Sequence, residues 1–68
     1  MTFGEKLKIS IKAKNYTQLK FADMLYISPN ALNKWINGKS EPGLNDLRRI
    51  CEFLNVSADW LLGVNGEE

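Results

Sequence analysis

The chain has 68 residues, of which 44% are hydrophobic, and its formal net charge is +1. This length allows one domain at most, and this composition is typical of a folded globular protein rather than a disordered one. No apolar run approaches the roughly 18 residues of a membrane span, and the N-terminus lacks the apolar stretch of a signal peptide. We therefore expect a cytoplasmic protein.

The first predicted helix runs from about Phe3 to Lys14, because Thr2 and Glu5 have the spacing of a capping box. Its inward stripe is Phe3, Leu7 and Ile11, and its outward lysines are Lys6, Lys8 and Lys12. A second helix is predicted from about Gln18 to Leu25, with Thr17 as its N-cap. Its inward residues are Leu19, Phe21, Ala22 and Leu25.

The third helix is predicted from Pro29 to about Ile36. Ser28 is a good N-cap for it, and proline suits the first helical position because its missing N–H would be unpaired there. Gly38 is expected to end this helix by adopting a positive φ angle.

The C-terminal part of the chain predicts two more helices. The fourth runs from about Asn45 to Leu54, and the fifth, capped by Ser57, covers residues 58–62. No segment shows the sustained alternation of a β-strand, so the predicted fold is all-α with five short helices. We assign residues 1–63 to one domain and residues 64–68 to a short acidic tail.

The third predicted helix has two chemically different faces. Its inner face is apolar and consists of Ala31, Leu32, Trp35 and Ile36. Its outer face consists of Pro29, Asn30, Asn33 and Lys34. Lysine can donate to guanine O6 and N7, and asparagine can pair with adenine N6 and N7. The pattern favours a helix that reads bases in the major groove of DNA, although a solvated amphipathic helix would show it too.

Donors suited to phosphate occur beside this helix. Thr17 and Gln18 begin the second helix, where unpaired backbone N–H groups attract anions. Asn37 and Lys39 follow the third helix, and Ser28 precedes it. We expect all five residues to contact the DNA backbone. For Thr17 the alternative is a capping role alone, and for Lys39 it is an ordinary surface charge.

Charge is distributed unevenly along the chain. Residues 1–40 contain seven lysines and two acidic residues, which gives a net charge of +5, whereas residues 41–68 carry −4. A basic half can face phosphates while the acidic half points away. Lysines that are merely solvated on helix surfaces would give the same count.

The last predicted helix and the residues after it contain more apolar side chains than one small core needs. We name Trp60, Leu61 and Val64 as the candidate surface for a homodimer, with Trp60 and Leu61 equally suited to closing the core. A single module contacts about one DNA half-site, so two copies usually share an operator.

Side chains for catalysis or metal binding are scarce. The chain has no histidine and one cysteine, Cys51, which we interpret as a small buried hydrophobe. A disulfide within the chain and a multi-thiol zinc site are thereby excluded. We expect no enzyme activity, no cofactor, no metal and no small-molecule ligand.

In order and spacing, the central segment resembles the helix-turn-helix of the phage repressor and Cro type, also called the xenobiotic-response-element type. The matching residues are Thr17, Gln18, Ala22, Leu25, Ser28, Leu32, Lys34, Trp35, Asn37, Gly38, Lys39 and Pro42. The run from Leu54 to Gly63 resembles the end of the same domain.

The resemblance implies a compact five-helix, lambda-repressor-like domain that binds double-stranded operator DNA, often as a twofold dimer. It assigns base reading to Pro29, Asn30, Asn33 and Lys34, and backbone contact to Thr17, Gln18, Asn37 and Lys39. The function it implies is sequence-specific transcriptional regulation, with repression in a phage, prophage or mobile element. The alternative is a protein-interaction module of the same fold, such as an anti-repressor or antitoxin. The small net charge favours that alternative, because non-specific DNA affinity comes from phosphate neutralisation.

Three features depart from the family pattern, and one is Pro29, which stands where the family usually has a polar base-reading residue. Tyr26 stands in the turn where the family usually has glycine, so either it adopts a positive φ with strain of about 1 kcal/mol or the turn is rebuilt. Ile11 and Ile36 stand where many members carry an arginine and a glutamate that pair. We predict that these two isoleucines touch, replacing an ion pair with an apolar contact.

Overall fold

The computed structural model describes residues 1–64, and five helices form its framework. They are α1 (Phe3–Ala13), α2 (Gln18–Met24), α3 (Pro29–Ile36), α4 (Leu44–Leu54) and α5 (Ala58–Leu62). The described part of the chain contains no β-strand, which confirms the predicted all-α class. Apart from Val64, the predicted acidic tail lies outside the described residues.

Side-chain caps fix where four of these helices begin. At α1 the predicted capping box is present: the Glu5 N–H donates to Thr2 Oγ1 at 3.1 Å, and the Thr2 N–H donates to Glu5 Oε1 at 2.9 Å. The other capping hydroxyls are those of Thr17, Ser28 and Ser57. Each accepts an otherwise unpaired N–H of the first helical turn, so the predicted helix starts are set by local hydrogen bonding.

All five helices contribute to one core. Its buried apolar residues are Leu7, Ile11, Phe21, Ala22, Leu25, Leu32, Trp35, Ile50, Leu54 and Leu61. Cys51 is half-buried and packs against this core, so its predicted hydrophobic role is confirmed although its burial is incomplete. No helix within residues 1–64 has the length and apolar content needed to cross a bilayer.

Two predicted orientations are wrong. Leu19 was expected inward but is 67% exposed, because Phe21 centres the buried face of α2 and Leu19 lies about 200° away from it around the helix. Lys6 was expected outward but is only 2% exposed. It lies on the same side of α1 as Phe3 and Leu7, so the helical period places its stem among the buried residues.

Close packing of α1 on α3 determines how α3 sits in the domain. A Cβ atom added at Gly4 would lie 1.9 Å from the carbonyl oxygen of Ile36, so only glycine allows the two backbones to approach this closely. Ile11 is buried and Ile36 packs against the same core, although a direct contact between them stays a prediction. Because α1 also packs on α2 and α5, it supports α3 from behind.

Candidate nucleic-acid interface

The turn between α2 and α3 ends one helix and starts the next within four residues. The N–H groups of Tyr26 and Ile27 donate to the carbonyls of Asp23 and Ala22, both at 3.1 Å. Tyr26 has φ +58°, so of the two outcomes that the sequence left open the turn keeps the left-handed conformation and is not rebuilt. This pair of bonds around a left-handed residue satisfies carbonyls that the end of α2 would otherwise leave unpaired.

Arg49 of α4 holds the outside of this turn. Its Nη2 donates to the Leu25 carbonyl oxygen, and its guanidinium carbon lies 5.8 Å from the centre of the Tyr26 ring. Sequence reasoning missed this residue because Arg49 lies beside the apolar stripe of α4, where periodicity alone gives no reason to single it out. Through Arg49, α4 therefore also contributes to the angle between α2 and α3.

The α3 outer face, defined as Pro29, Asn30, Asn33 and Lys34, is exposed along its length. On the other side of the same helix Leu32 and Trp35 are buried. The division predicted from the sequence is therefore present in the folded protein, and four side chains with polar or compact apolar ends project from a rigid helix. A helix with this surface is of a size that enters the major groove.

A hydrogen bond between side chains lies at the end of this face. Asn37 Nδ2 donates to Asn33 Oδ1 at 2.9 Å, and both residues are exposed. Their backbones are also joined, since the Asn37 N–H donates to the Asn33 carbonyl at 3.0 Å. This bond favours one orientation of the Asn33 amide, with its oxygen towards the neighbour one helical turn away.

The predicted phosphate donors lie at the ends of α2 and α3. Thr17 and Lys39 are exposed, and Gln18 is half-buried. After α3, Gly38 has φ +77° and the Lys39 N–H donates to the Lys34 carbonyl at 2.8 Å. This closure turns the chain sharply and fixes where Lys39 leaves the helix.

Thr17 and Ser28 each have a hydroxyl that already serves as a helix cap. Thr17 Oγ1 accepts the Lys20 N–H at 3.0 Å, and Ser28 Oγ accepts the Ala31 N–H at 3.1 Å. A hydroxyl that accepts one bond still has its own hydrogen to donate. Capping and contact with a phosphate oxygen are therefore compatible at both positions.

The lysines differ in how far they support the predicted basic half. Lys34 is exposed on the α3 outer face, Lys39 is exposed just after α3, and Lys20 is exposed on α2. Lys6 instead points inside, where its Nζ donates to the Trp60 carbonyl at 2.8 Å and lies 5.4 Å from the centre of the Trp60 ring. Lys6 therefore joins α1 to α5 and is withdrawn from any surface that meets DNA.

The candidate dimer surface is only partly available. Leu61 is 1% exposed and belongs to the core, so its assignment to an interface was wrong; it lies on the side of α5 that packs inward. Trp60 is half-buried and is occupied in part by Lys6. Val64 and Leu62 are exposed and remain open to a partner.

The remaining chemistry of the domain is modest. Burial, and then the charge of Glu52, raise the pKa of the Cys51 thiol, which keeps it protonated and a poor nucleophile at neutral pH. Within residues 1–64 no three acidic or cysteine side chains are grouped to hold a metal ion.

Comparison with known proteins gives consistent matches over nearly all of the chain. The sequence profile of the helix-turn-helix family matches residues 7–61. The HTH-type transcriptional activator BcrR of Enterococcus faecalis is 43% identical over 68 residues, which is 100% of this chain and 32% of that protein. The SPbeta prophage-derived HTH-type transcriptional regulator YonR of Bacillus subtilis is 42% identical over 60 residues, which is 88% of this chain and 56% of YonR.

The fold also occurs in a solved repressor structure. The solution structure of the SOS-response transcriptional repressor LexA from Eubacterium rectale superimposes with a TM-score of 0.80 at 27% identity. The match covers 88% of this chain and 64% of the LexA chain. This chain thus spans between about a third and two thirds of the length of these three proteins.

Proposed function

Because this chain belongs to the helix-turn-helix family, we propose that it is a transcriptional regulator that binds double-stranded DNA at specific sequences. The observation that carries the proposal is the α3 outer face. Four exposed side chains project from a helix whose opposite side is buried in the core. The closed turn at Tyr26 and the contact at Gly4 fix this helix, so its side chains are presented without rearrangement.

In this proposal α3 enters the major groove and its outer face meets base edges. Lys34 donates to guanine, whose O6 and N7 are both acceptors. The amides of Asn30 and Asn33 contact further bases, and the Pro29 ring packs against a thymine methyl. One good bidentate contact discriminates between bases by about 1–3 kcal/mol, so a few such contacts give a recognisable site.

The DNA backbone is contacted from the two sides of α3. Thr17 and Gln18 at the start of α2 supply N–H and amide donors, and the Ser28 hydroxyl adds another. Beyond α3, Asn37 and Lys39 reach the same strand further along. Such contacts carry no sequence information, but they fix the register in which the outer face meets the bases.

We propose that two copies bind one twofold operator. Leu62 and Val64 are 52% and 63% exposed, and Trp60 of the same C-terminal segment is half-buried. Burial of such exposed apolar side chains against a second copy lowers the free energy of the pair. Leu61 takes no part, because it is already buried.

Repression is the simpler regulatory outcome. A bound domain can block access to a promoter by occupying it, without any contact to another protein. Activation requires such a contact, and we assign none to this chain. Operator DNA also implies a cytoplasmic site of action.

Selection of bound sites from a random pool of DNA duplexes tests the proposal. The chain is expected to enrich a short motif, either alone or as two inverted copies about 10 base pairs apart. The matched variant carries Asn30→Ala and Lys34→Ala and should stay folded while enriching no comparable motif. A chain that enriches nothing and binds no duplex in dilute salt contradicts the proposal and favours the protein-interaction alternative.

A further inference from the structure

The hydrogen bond between Asn33 and Asn37 has a consequence for which base Asn33 selects. An asparagine amide has an oxygen that only accepts and a nitrogen that only donates. Here Asn33 Oδ1 receives the Nδ2–H of Asn37 at 2.9 Å. One lone pair of Oδ1 remains, but the oxygen is turned towards Asn37, so the two Nδ2 hydrogens of Asn33 are the groups most available to a ligand.

Adenine and guanine differ in what they require from such an amide. Bidentate pairing with adenine needs the oxygen to accept from N6 while the nitrogen donates to N7. Guanine presents acceptors only, at N7 and O6, and is satisfied by donors. An asparagine whose oxygen is turned to a neighbouring donor, with one of its two lone pairs used, therefore suits guanine better than adenine.

We propose that Asn37 is a positioning residue for specificity: it holds the Asn33 amide with its donor end towards the DNA and so favours guanine over adenine at one base pair. This inference rests on the proposed function, since it assumes that Asn33 meets a base. The second hydrogen of Asn37 Nδ2 stays available for a phosphate oxygen, which preserves its predicted backbone contact.

The local backbone keeps the pair together. Asn37 caps α3 with φ −88° and ψ 2°, and its N–H donates to the Asn33 carbonyl at 3.0 Å. Gly38 turns the chain away immediately afterwards with φ +77°. The two side chains therefore start from a closed helical turn, and little conformational entropy is lost when they bond to each other.

The DNA complex should strengthen the bond rather than break it. In the free protein both amides are exposed, so water competes for every donor and acceptor. When the groove displaces that water, the local dielectric falls and a bond between amides becomes stronger. Turning Asn33 to read adenine would then leave the Asn37 donor without its partner, which is unfavourable in a desolvated interface.

The experiment is motif selection from a random duplex pool with the full chain and three variants: Asn33→Ala, Asn37→Ala and the double variant. The base pair whose preference disappears in Asn33→Ala is the one that Asn33 reads. At that pair the original chain should prefer guanine over adenine by about fivefold or more, the low end for one good contact. Asn37→Ala frees the amide to rotate, so this ratio should fall to about one or below.

The double variant separates positioning from a general structural effect. If Asn37 acts through Asn33, removing Asn37 changes nothing further at that pair once Asn33 is alanine. Preferences set by Lys34 should be the same in all variants. Melting curves should show that Asn37→Ala stays folded, because alanine can adopt the φ of −88° and ψ of 2° found at this position.

Asn37→Asp provides a second, independent readout. A carboxylate only accepts, so it should draw the Nδ2 hydrogens of Asn33 and turn Oδ1 towards the DNA. Preference at the Asn33 base pair should then move to adenine. Total affinity should also fall, because the new charge faces phosphates, and the ratio of bases is therefore the quantity to compare.

Several results would overturn the inference while leaving DNA binding intact. They are an original chain that prefers adenine at the Asn33 pair, an Asn33→Ala variant with unchanged preferences, and an Asn37→Ala or Asn37→Asp variant that keeps the guanine preference. A chain that enriches no motif at all contradicts the proposed function itself, so the two failures are distinct.

Discussion

The junction of α1 with α5 and the outer face of α3 use the same kind of side chain in opposite ways. Lys6 is 2% exposed, and its ammonium group is bonded to the Trp60 carbonyl at 2.8 Å. Lys34 is exposed at the end of a polar stripe. A lysine bonded inside the domain stabilises the fold, whereas one left in solvent is available to a ligand, so location separates the two roles where residue type does not.

The two regions should therefore respond differently to mutation. At the junction a lost side chain should lower the free energy of unfolding and leave base preference unchanged. On the α3 outer face it should change base preference and leave stability nearly unchanged. Stability and base preference can be measured separately for the same variant.

The largest effect is expected from Lys6→Ala. It removes a buried stem and a charged hydrogen bond between residues 54 positions apart, and should lower the free energy of unfolding by about 3 kcal/mol. Lys6→Met keeps most of the volume and should lose less. Urea denaturation measures both variants. Equal and small losses would mean that the bond to Trp60 contributes nothing and that the contrast with Lys34 is wrong.

Gly4→Ala should be the next most disruptive change. The new Cβ would meet the Ile36 carbonyl oxygen at 1.9 Å, so α1 must move away from α3 at an expected loss of about 1–3 kcal/mol of stability. Because α3 moves relative to α2, DNA affinity should fall as well. Thermal unfolding and binding to the selected motif test this, with Lys8→Ala on the exposed side of α1 as control. Unchanged stability would show that this close approach is absent in solution.

Local signals in the sequence predicted most of this fold but not the interior partners of charged residues. The bounds of α3 were predicted correctly because Ser28, Pro29 and Gly38 mark them by hydrogen bonding and backbone preference. Lys6 and Arg49 were missed because a charged residue is read as exposed unless its partner is known. Those partners, the carbonyls of Trp60 and Leu25, are brought near only by the tertiary fold.

At the candidate interface, too, the sequence predicted which residues are exposed but not which side chains contact each other. The exposure of the α3 outer face followed from helical periodicity, since its residues lie opposite Leu32 and Trp35. The orientation of the Asn33 amide did not, because a sequence contains no information about which end Asn37 engages. Leu61 was misplaced for a related reason: an apolar residue on a short helix fits a core and an interface equally well.

Lys34→Ala and Lys39→Ala should distinguish contacts to bases from contacts to the DNA backbone at the exposed lysines of and beside the α3 outer face. Lys34→Ala is expected to relax preference at one or two base pairs, by about 1–3 kcal/mol. Lys39→Ala should weaken binding to all sequences alike and reduce the salt dependence by about one counterion. Both should unfold like the original chain. Motif selection and titrations at several salt concentrations measure the two effects, and an unchanged base preference in Lys34→Ala would place the reading face elsewhere.

Substitutions at Tyr26 should have the smallest effect, because opposing terms nearly cancel there. The residue has φ +58° and is 90% exposed, so glycine would relieve about 1 kcal/mol of backbone strain. Two effects of glycine lower the free energy of unfolding, each by up to about 1 kcal/mol. Glycine lacks the ring that lies beside Arg49, and it raises the entropy of the unfolded chain. We therefore expect Tyr26→Gly to change stability by less than about 0.5 kcal/mol.

Tyr26→Ala isolates the backbone term, since it loses the ring as glycine does but keeps a Cβ at positive φ. It should be less stable than Tyr26→Gly by about 1 kcal/mol, as measured by urea denaturation. Asn15 and Asn55, at φ +64° and +56°, show that this chain otherwise places residues tolerant of that conformation after its helices. An alanine variant as stable as the glycine variant would mean that the turn relaxes to negative φ. In that case Arg49, rather than the Tyr26 backbone, would hold α3 at its angle to α2.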